Sequence, residues 1–187
     1  MKKIAIFASG SGSNFQRIVE ASREGVLQAE IALLVCDRPS AYVMERANTE
    51  RIPVFSFAPK EYADKAAYER DIMKELDARH IEFIVLAGYM RLIGQTLLGA
   101  YSHRIVNIHP SLLPSFPGKD AIGQAFDAAV KITGVTIHYV DEGMDTGPII
   151  EQAAVELKPG DTRETLQNRI QETEHRLYPQ VLQQLFS

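Results

Sequence analysis

A chain of 187 residues, 45% hydrophobic and 24% charged, is the size of one globular domain and buries roughly 70% of its unfolded surface. A formal charge of −4 with a pI near 5.7 excludes bulk attraction to nucleic acid or to an anionic membrane, so an anionic ligand must be held by local donors. A single cysteine, Cys36, excludes an internal disulfide and a multi-cysteine metal site, and no apolar run approaches the roughly 18 residues of a membrane span.

In chain order, Lys3 to Ala8 reads as a first strand. Its apolar run is too short for a signal peptide, and polar residues follow at once. Ser13 to Glu24 has helical spacing, with Phe15, Ile18, Val19 and Ala21 toward the core. Ile31 to Cys36 is a buried-strand pattern, which makes Cys36 a core thiol. Residues 40–50 form a short helix, Val54 to Phe57 a third strand, and Tyr62 to Arg79 a helix carried by Ala66, Ile72, Met73 and Leu76. The run Phe83-Ile84-Val85-Leu86-Ala87 is apolar throughout, as in a strand covered on both faces.

Strands follow at 104–107, 134–140 and 148–156. The short link between the last two, Asp141 to Gly147, suits a reversal better than a crossover. In the final helix, Asp161 and Glu164 form a capping box. Leu166, Ile170, Leu177, Val181 and Leu185 follow at helical spacing, and Pro179 is expected to kink or interrupt the helix. The alternation predicts an α/β fold: one domain over 1–187 with a Rossmann-like, doubly wound sheet, mostly parallel with an antiparallel C-terminal part.

The stretch Asn107-Ile108-His109-Pro110-Ser111-Leu112-Leu113-Pro114 is the richest in chemistry. Asn107 and His109 lie two apart on a strand and share a face, with Ile108 turned away. Pro110 keeps His109 extended. A neutral amide donor beside a group that carries a proton near neutral pH is what a developing oxyanion needs. The glycine-punctuated loop Asp141 to Pro148 can deliver Asp145 to the same edge. An amide, an imidazole and a carboxylate then form an acyl-transfer site with no nucleophile of its own.

The turn Ser9-Gly10-Ser11-Gly12-Ser13-Asn14 joins the first strand to the first helix, where unpaired N–H groups and the helix dipole suit a phosphate. Phe15 stands where a dinucleotide fingerprint wants a third glycine, although Asp37 sits where a ribose-binding acid would. Gly-Lys-Ser and Gly-Lys-Thr are absent, so a phosphomonoester fits better than a nucleoside triphosphate. A polar N-capping turn with no ligand is the plainer alternative.

A Ser111-His109-Asp145 triad is disfavoured by the closeness of Ser111 to His109 and the lack of a nucleophile elbow. His103, His109, His138 and Asp145 lack any metal-ligand spacing. His138 reads as a structural histidine in a strand, and His80 as a helix C-terminal cation. Tyr89-Met90-Arg91-Leu92-Ile93 offers the rim of an apolar pocket for a flat ring, or only a solvated Arg between core residues.

These segments, with Gln171-Glu172-Thr173-Glu174-His175-Arg176-Leu177-Tyr178-Pro179, resemble the folate-dependent formyltransferases, and among them the glycinamide ribonucleotide formyltransferases of purine synthesis. The resemblance runs along nearly the whole chain. The Asn-x-His-Pro-Ser-Leu-Leu-Pro motif is specific to formyl-folate enzymes without choosing among them. It implies a cytoplasmic enzyme that moves a formyl group from 10-formyltetrahydrofolate to the amine of glycinamide ribonucleotide, with no metal, nucleic acid or membrane involved. It implies that Gly12, Ser13 and Asn14 hold the substrate phosphate, and that Gln171, Glu172, Thr173 and Glu174 serve the nucleotide, Glu174 on the ribose. It also implies that Met90, Arg91, Leu92 and Ile93, together with Asn107, Asp141, Glu142, Gly143, Met144 and Asp145, line the folate pocket, with Lys65 nearby.

Asn107, protonated His109 and Asp145 would be the catalytic trio, with Asp145 favouring imidazolium and a water relaying the amine proton. The segment Lys119-Asp120-Ala121-Ile122-Gly123 replaces a histidine-rich stretch of some relatives. Two relatives of the same chemistry fit less well. Methionyl-tRNA formyltransferase carries a C-terminal RNA-binding domain for which the chain has no room, and formyltetrahydrofolate deformylase has a regulatory domain before its catalytic strand. A non-catalytic phosphate-ligand module would explain the glycine turn but leave the trio without a task.

Overall fold

Strand β1 (Lys2–Ala8) is buried from Ile4 onward, and the computed structural model, which describes Met1–Ser187, shows why. It sits at the centre of a sheet with helices on both faces. The elements are β1, α1 (Ser13–Arg23), β2 (Ala29–Cys36), α2 (Val43–Thr49), β3 (Val54–Ser56), a 3₁₀ turn (Pro59–Glu61), α3 (Lys65–Ala78), β4 (Phe83–Leu86), α4 (Gln95–Ala100), β5 (Ile105–His109), α5 (Ala121–Asp127), β6 (Ile132–Tyr139), β7 (Ile149–Glu156) and α6 (Arg163–Phe186).

The sheet order is β3-β2-β1-β4-β5-β6-β7. β3, β2, β1, β4 and β5 are mutually parallel, while β6 pairs antiparallel with β5 and β7 with β6. This is the α/β fold with an antiparallel C-terminal part that the alternation of elements predicts. The chain leaves β1 first toward β2 and β3, then returns to place β4 on β1's other side. That reversal opens a crevice beyond the carboxyl ends of β1 and β4.

Alternation along the central strands divides the core in two. Ile4, Ile6, Val85, Val106 and Ile108 pack with Phe15 and Ile18 of α1 and with Leu166, Ile170 and Tyr178 of α6. Ala5, Phe7, Ile84, Leu86 and Ile105 pack with Tyr68, Ile72 and Leu76 of α3 and Leu97 of α4. Fully burying each large aliphatic side chain contributes about 1.5–3 kcal/mol. Tyr178 is fully buried, and its hydroxyl donates to the Leu86 carbonyl at 2.8 Å, which fixes α6 against the end of β4.

Two details differ from the sequence reading. α6 is capped by Thr162, which accepts from the Thr165 N–H while Thr165 Oγ1 accepts from the Thr162 N–H, so the Asp161–Glu164 box does not form. Asp161 instead accepts from both guanidinium NH groups of Arg169 at 2.8 Å, an arrangement a short hydroxyl cap leaves free. Pro179 lies inside an uninterrupted α6, buried against the core, where packing outweighs one missing helical N–H. His80 closes the C-terminus of α3, as its sequence reading has it: it sits in the left-handed region at φ 55 and its N–H donates to the Asp77 carbonyl.

Candidate active site

Three segments meet at the crevice, which encloses about 1040 Å³. The first is the turn between β1 and α1. Gly12 caps α1 at φ 75, a conformation L side chains rarely adopt, and a Cβ there would lie 2.4 Å from Val43 Cγ2. No side chain caps the helix, so its first N–H groups remain open to an anion.

Across the turn stands Glu174 of α6, 8% exposed, whose Oε2 accepts from Asn14 Nδ2 at 3.2 Å. Burial pushes the Glu174 carboxyl up to about 7, against the smaller opposing effect of that hydrogen bond. The side-chain oxygen of Asn14, Oδ1, is buried with no partner. A buried acceptor without a donor is costly unless a ligand supplies one.

The second segment is the antiparallel β5–β6 pair. Its register sets Asn107 opposite His138. Asn107 Nδ2 lies 3.4 Å from His138 Nε2, and His138 Nδ1 donates to the Tyr139 carbonyl at 2.8 Å. That bond places a proton on Nδ1 and turns Nε2 toward Asn107 and Asp145. His109, 6% exposed, donates from Nε2 to the Phe116 carbonyl at 2.9 Å and presents Nδ1 to Asp145 Oδ2 at 3.5 Å. The face assignment is as the strand period predicts: Ile108 packs in the opposite core.

Asp145 reaches this pair from the β6–β7 loop. It is held at φ 56, its Oδ2 accepts from the Gly118 N–H at 2.8 Å, and its Oδ1 lies 3.7 Å from His138 Nε2. Gly147 lets the loop fold back, since a Cβ there would lie 1.8 Å from the Tyr139 carbonyl oxygen. Burial raises the Asp145 carboxyl, but hydrogen bonds from His138 and Gly118 and the nearby His109 outweigh it. The net effect holds it below the ordinary carboxylate range. Asp145 is therefore a persistent anion between two imidazoles.

The third segment is Ala87 to Ile93, after β4. Met90 and Leu92, with Met144 across the cleft, are exposed apolar side chains in its wall. An apolar wall beside converging polar groups suits a flat, partly polar ring. Arg91 is not a free solvated cation: its Nε donates to Asp37 Oδ2 at 2.8 Å.

Of the residues implied by the resemblance, Gly12, Ser13, Asn14, Met90, Arg91, Leu92, Ile93, Asn107, His109, Asp141, Gly143, Met144, Asp145, Gln171 and Glu174 line the one cleft. Four do not. Glu172 is on the exposed face of α6, and Thr173 is turned inward, donating to the Arg169 carbonyl at 3.1 Å. Only every third or fourth residue of a helix can face one cleft, which is why two of these four neighbours drop out. Glu142 points outward to accept from Gln95 Nε2 at 2.8 Å, and Lys65 acts behind the wall, donating to the Leu92 carbonyl at 2.9 Å.

Ser111 is fully buried and donates to the Ser115 and Phe116 carbonyls, at 2.6 and 3.2 Å, so it serves the loop and is no nucleophile. His138 belongs to the site, contrary to its reading as a structural residue. Its role depends on strand register, which a single strand cannot reveal. Lys119, Arg163 and Gln167 also line the cleft without having been singled out as candidates.

A helix terminus open to an anion, facing an amide–imidazole–carboxylate cluster, suits a group-transfer enzyme with no nucleophile of its own. The chain belongs to the formyl transferase family, whose model matches residues 2–182. It is 59% identical to the phosphoribosylglycinamide formyltransferase of Bacillus subtilis, over 99% of this chain and 95% of that protein. The crystal structure of glycinamide ribonucleotide transformylase 1 from Geobacillus kaustophilus superposes with a TM-score of 0.98 at 62% identity, covering both chains completely. A trifunctional purine biosynthetic protein of Drosophila melanogaster is 38% identical over 98% of this chain, which spans 14% of that protein. No helix is long and apolar enough to cross a membrane.

Proposed function

We propose that the chain transfers the formyl group of 10-formyltetrahydrofolate to the amine of glycinamide ribonucleotide, the reaction of a phosphoribosylglycinamide formyltransferase in purine biosynthesis. One observation carries the reading. The Asn107–His109–Asp145 cluster and the Gly12–Asn14 turn open into the same cleft, so an amine on a phosphate-bearing substrate can be set against an acyl carbon. The relatives named for this reaction support it.

Ser13 and Asn14 and the backbone at Gly12 receive the phosphate, while Glu174 and Gln171 face the sugar from α6. Met90, Leu92, Ile93 and Met144 receive the folate ring. The folate enters as second substrate and supplies the activated formyl group. Attack by the amine turns the formyl oxygen into an oxyanion, for which Asn107 Nδ2 and the imidazolium of His109 are the donors.

Only one His109 nitrogen is free to follow that charge. Nε2 is committed to the Phe116 carbonyl, whereas Nδ1, at 3.5 Å from Asp145, is looser than a normal hydrogen bond. Asp145 holds the proton on Nδ1 until the oxyanion forms. A water beside Asp145 relays the amine proton to the folate nitrogen as its bond to the formyl carbon breaks, so the oxyanion collapses to the new formamide and tetrahydrofolate departs. No metal takes part in this scheme. The buried, unpaired thiol of Cys36 suits the cytoplasm, where thiols stay reduced.

The test is turnover of 10-formyltetrahydrofolate with and without glycinamide ribonucleotide. Turnover that requires the acceptor and disappears in His109→Ala is expected. Hydrolysis without acceptor would instead make the chain a deformylase.

A further inference from the structure

The carboxylate of Asp37 takes no part in this chemistry, yet it is among the most constrained groups beside the cleft. It follows β2 and is 3% exposed. Both oxygens are used. Oδ1 accepts from Ser9 Oγ at 2.5 Å, and Oδ2 accepts from Arg91 Nε at 2.8 Å. Ser9 Oγ in turn accepts from the Met90 N–H at 2.8 Å. One buried anion thus grips two successive residues of the Met90–Ile93 wall, one through its side chain and one through a relayed hydroxyl. A serine hydroxyl has one proton. With that proton held by Asp37, its lone pairs face the Met90 N–H, so the carboxylate fixes the direction of the relay.

Tyr68 also lies against Arg91, and the remaining supports of this wall lie further along. Lys65 holds the Leu92 carbonyl and Glu69 accepts from the Gly94 N–H at 2.9 Å. Neither touches Met90 or Arg91. Without Asp37, the Arg91 guanidinium, 40% exposed at the side chain, is released beside the surface meant for the ring. Beyond Ser9, the phosphate turn has anchors of its own. The Val43 N–H donates to the Gly10 carbonyl at 3.1 Å and Arg46 Nε to the Ser11 carbonyl at 2.8 Å.

We infer that Asp37 is the positioning residue of the folate wall: through Ser9 and Arg91 it sets affinity for the formyl-folate, while the phosphate-facing part of the turn, Gly12 to Asn14, is held by other contacts. The inference rests on the proposed activity for the identity of the ligand. It gives a task to an acid that stands where a ribose-binding carboxylate stands in dinucleotide-binding folds: here its oxygens are consumed by the protein.

The test is steady-state kinetics of the full chain with both substrates varied, for wild type, Asp37→Ala, Arg91→Ala and the double variant. Asp37→Ala is expected to raise the KM for 10-formyltetrahydrofolate roughly ten- to a hundredfold, the loss typical of charge-assisted hydrogen bonds. The KM for glycinamide ribonucleotide should stay within about twofold, and kcat at saturating folate within about threefold. Arg91→Ala should act in the same direction, and the double variant should be no worse than Asp37→Ala, since the two residues share one interaction.

Equal increases in both KM values, a loss of kcat at unchanged folate KM, or additive effects of the two substitutions would overturn the inference. If Asp37→Ala fails to fold, Asp37→Asn, which keeps one acceptor oxygen, is read by the same split. If the wild-type protein shows no turnover, the proposed activity fails first. Calorimetric titration with 10-formyltetrahydrofolate then decides the inference on its own: an unchanged Kd in the variant, or no binding by wild type, overturns it.

Discussion

The two ends of the cleft are built from different materials. The end proposed for the phosphate is largely backbone: a glycine in the left-handed region, an uncapped helix terminus and amide N–H groups. The chemical end is side chain: Asn107, His109 and His138 stand on paired strands, with Asp145 folded over them. A permanent anion needs only fixed dipoles. A charge that appears and vanishes during a reaction needs groups that can carry a proton. Damage should therefore fall on kcat at one end and on KM at the other.

The largest effect is expected at the chemical end. His109→Ala should lower kcat about 10²–10⁴-fold and leave the KM for glycinamide ribonucleotide nearly unchanged, as read by steady-state kinetics. Asn107→Ala should cost about 10²–10³ in kcat in the same assay. A large rise in the nucleotide KM for either variant would mean that the two ends are not separable.

At the other end, Gly12→Ala must strain φ 75 and displace Val43. It should raise the nucleotide KM about tenfold and cost roughly 1–3 kcal/mol of stability in denaturant unfolding, with kcat largely kept.

A further effect is read in the pH dependence of stability. Glu174 has a folded-state pKa of about 7, raised above its unfolded value near 4.5. Between these limits the folded state binds the extra proton, so stability falls as pH rises through that window. Glu174→Gln removes the titration. Its unfolding free energy should gain on wild type from pH 4.5 to 7 by at most about 3 kcal/mol and stay level above that. A pH-independent difference would show that Glu174 titrates in the folded state as it does in the unfolded chain.

Much of this was legible in the sequence because each signal was local. The apolar run at Phe83–Leu86 belongs to a central strand, and the two-residue spacing of Asn107 and His109 puts them on one face. The turn at Gly12 announces itself by its glycines. What escaped depends on partners distant in sequence. The short helices α4 and α5 contain glycines and have too few turns for a periodic pattern. His138 enters the site only through its register with Asn107. Lys65 and Asp37 were each placed near a ligand, but their charges are spent on the wall. That distinction needs the geometry of what surrounds them. Pro179 marks the opposite failure: a strong local signal for a break, overridden by burial.

The hydrogen bond between Asn14 and Glu174 spans 160 residues of sequence. Contacts of such separation carry a large chain-closure cost and tend to form late in folding. The nucleotide end of the cleft is thus complete only once α6 has docked, after every strand of the sheet has been synthesised. During refolding, helical and sheet signals should therefore return before catalytic competence does. Activity would then report arrival of the final helix rather than collapse of the chain.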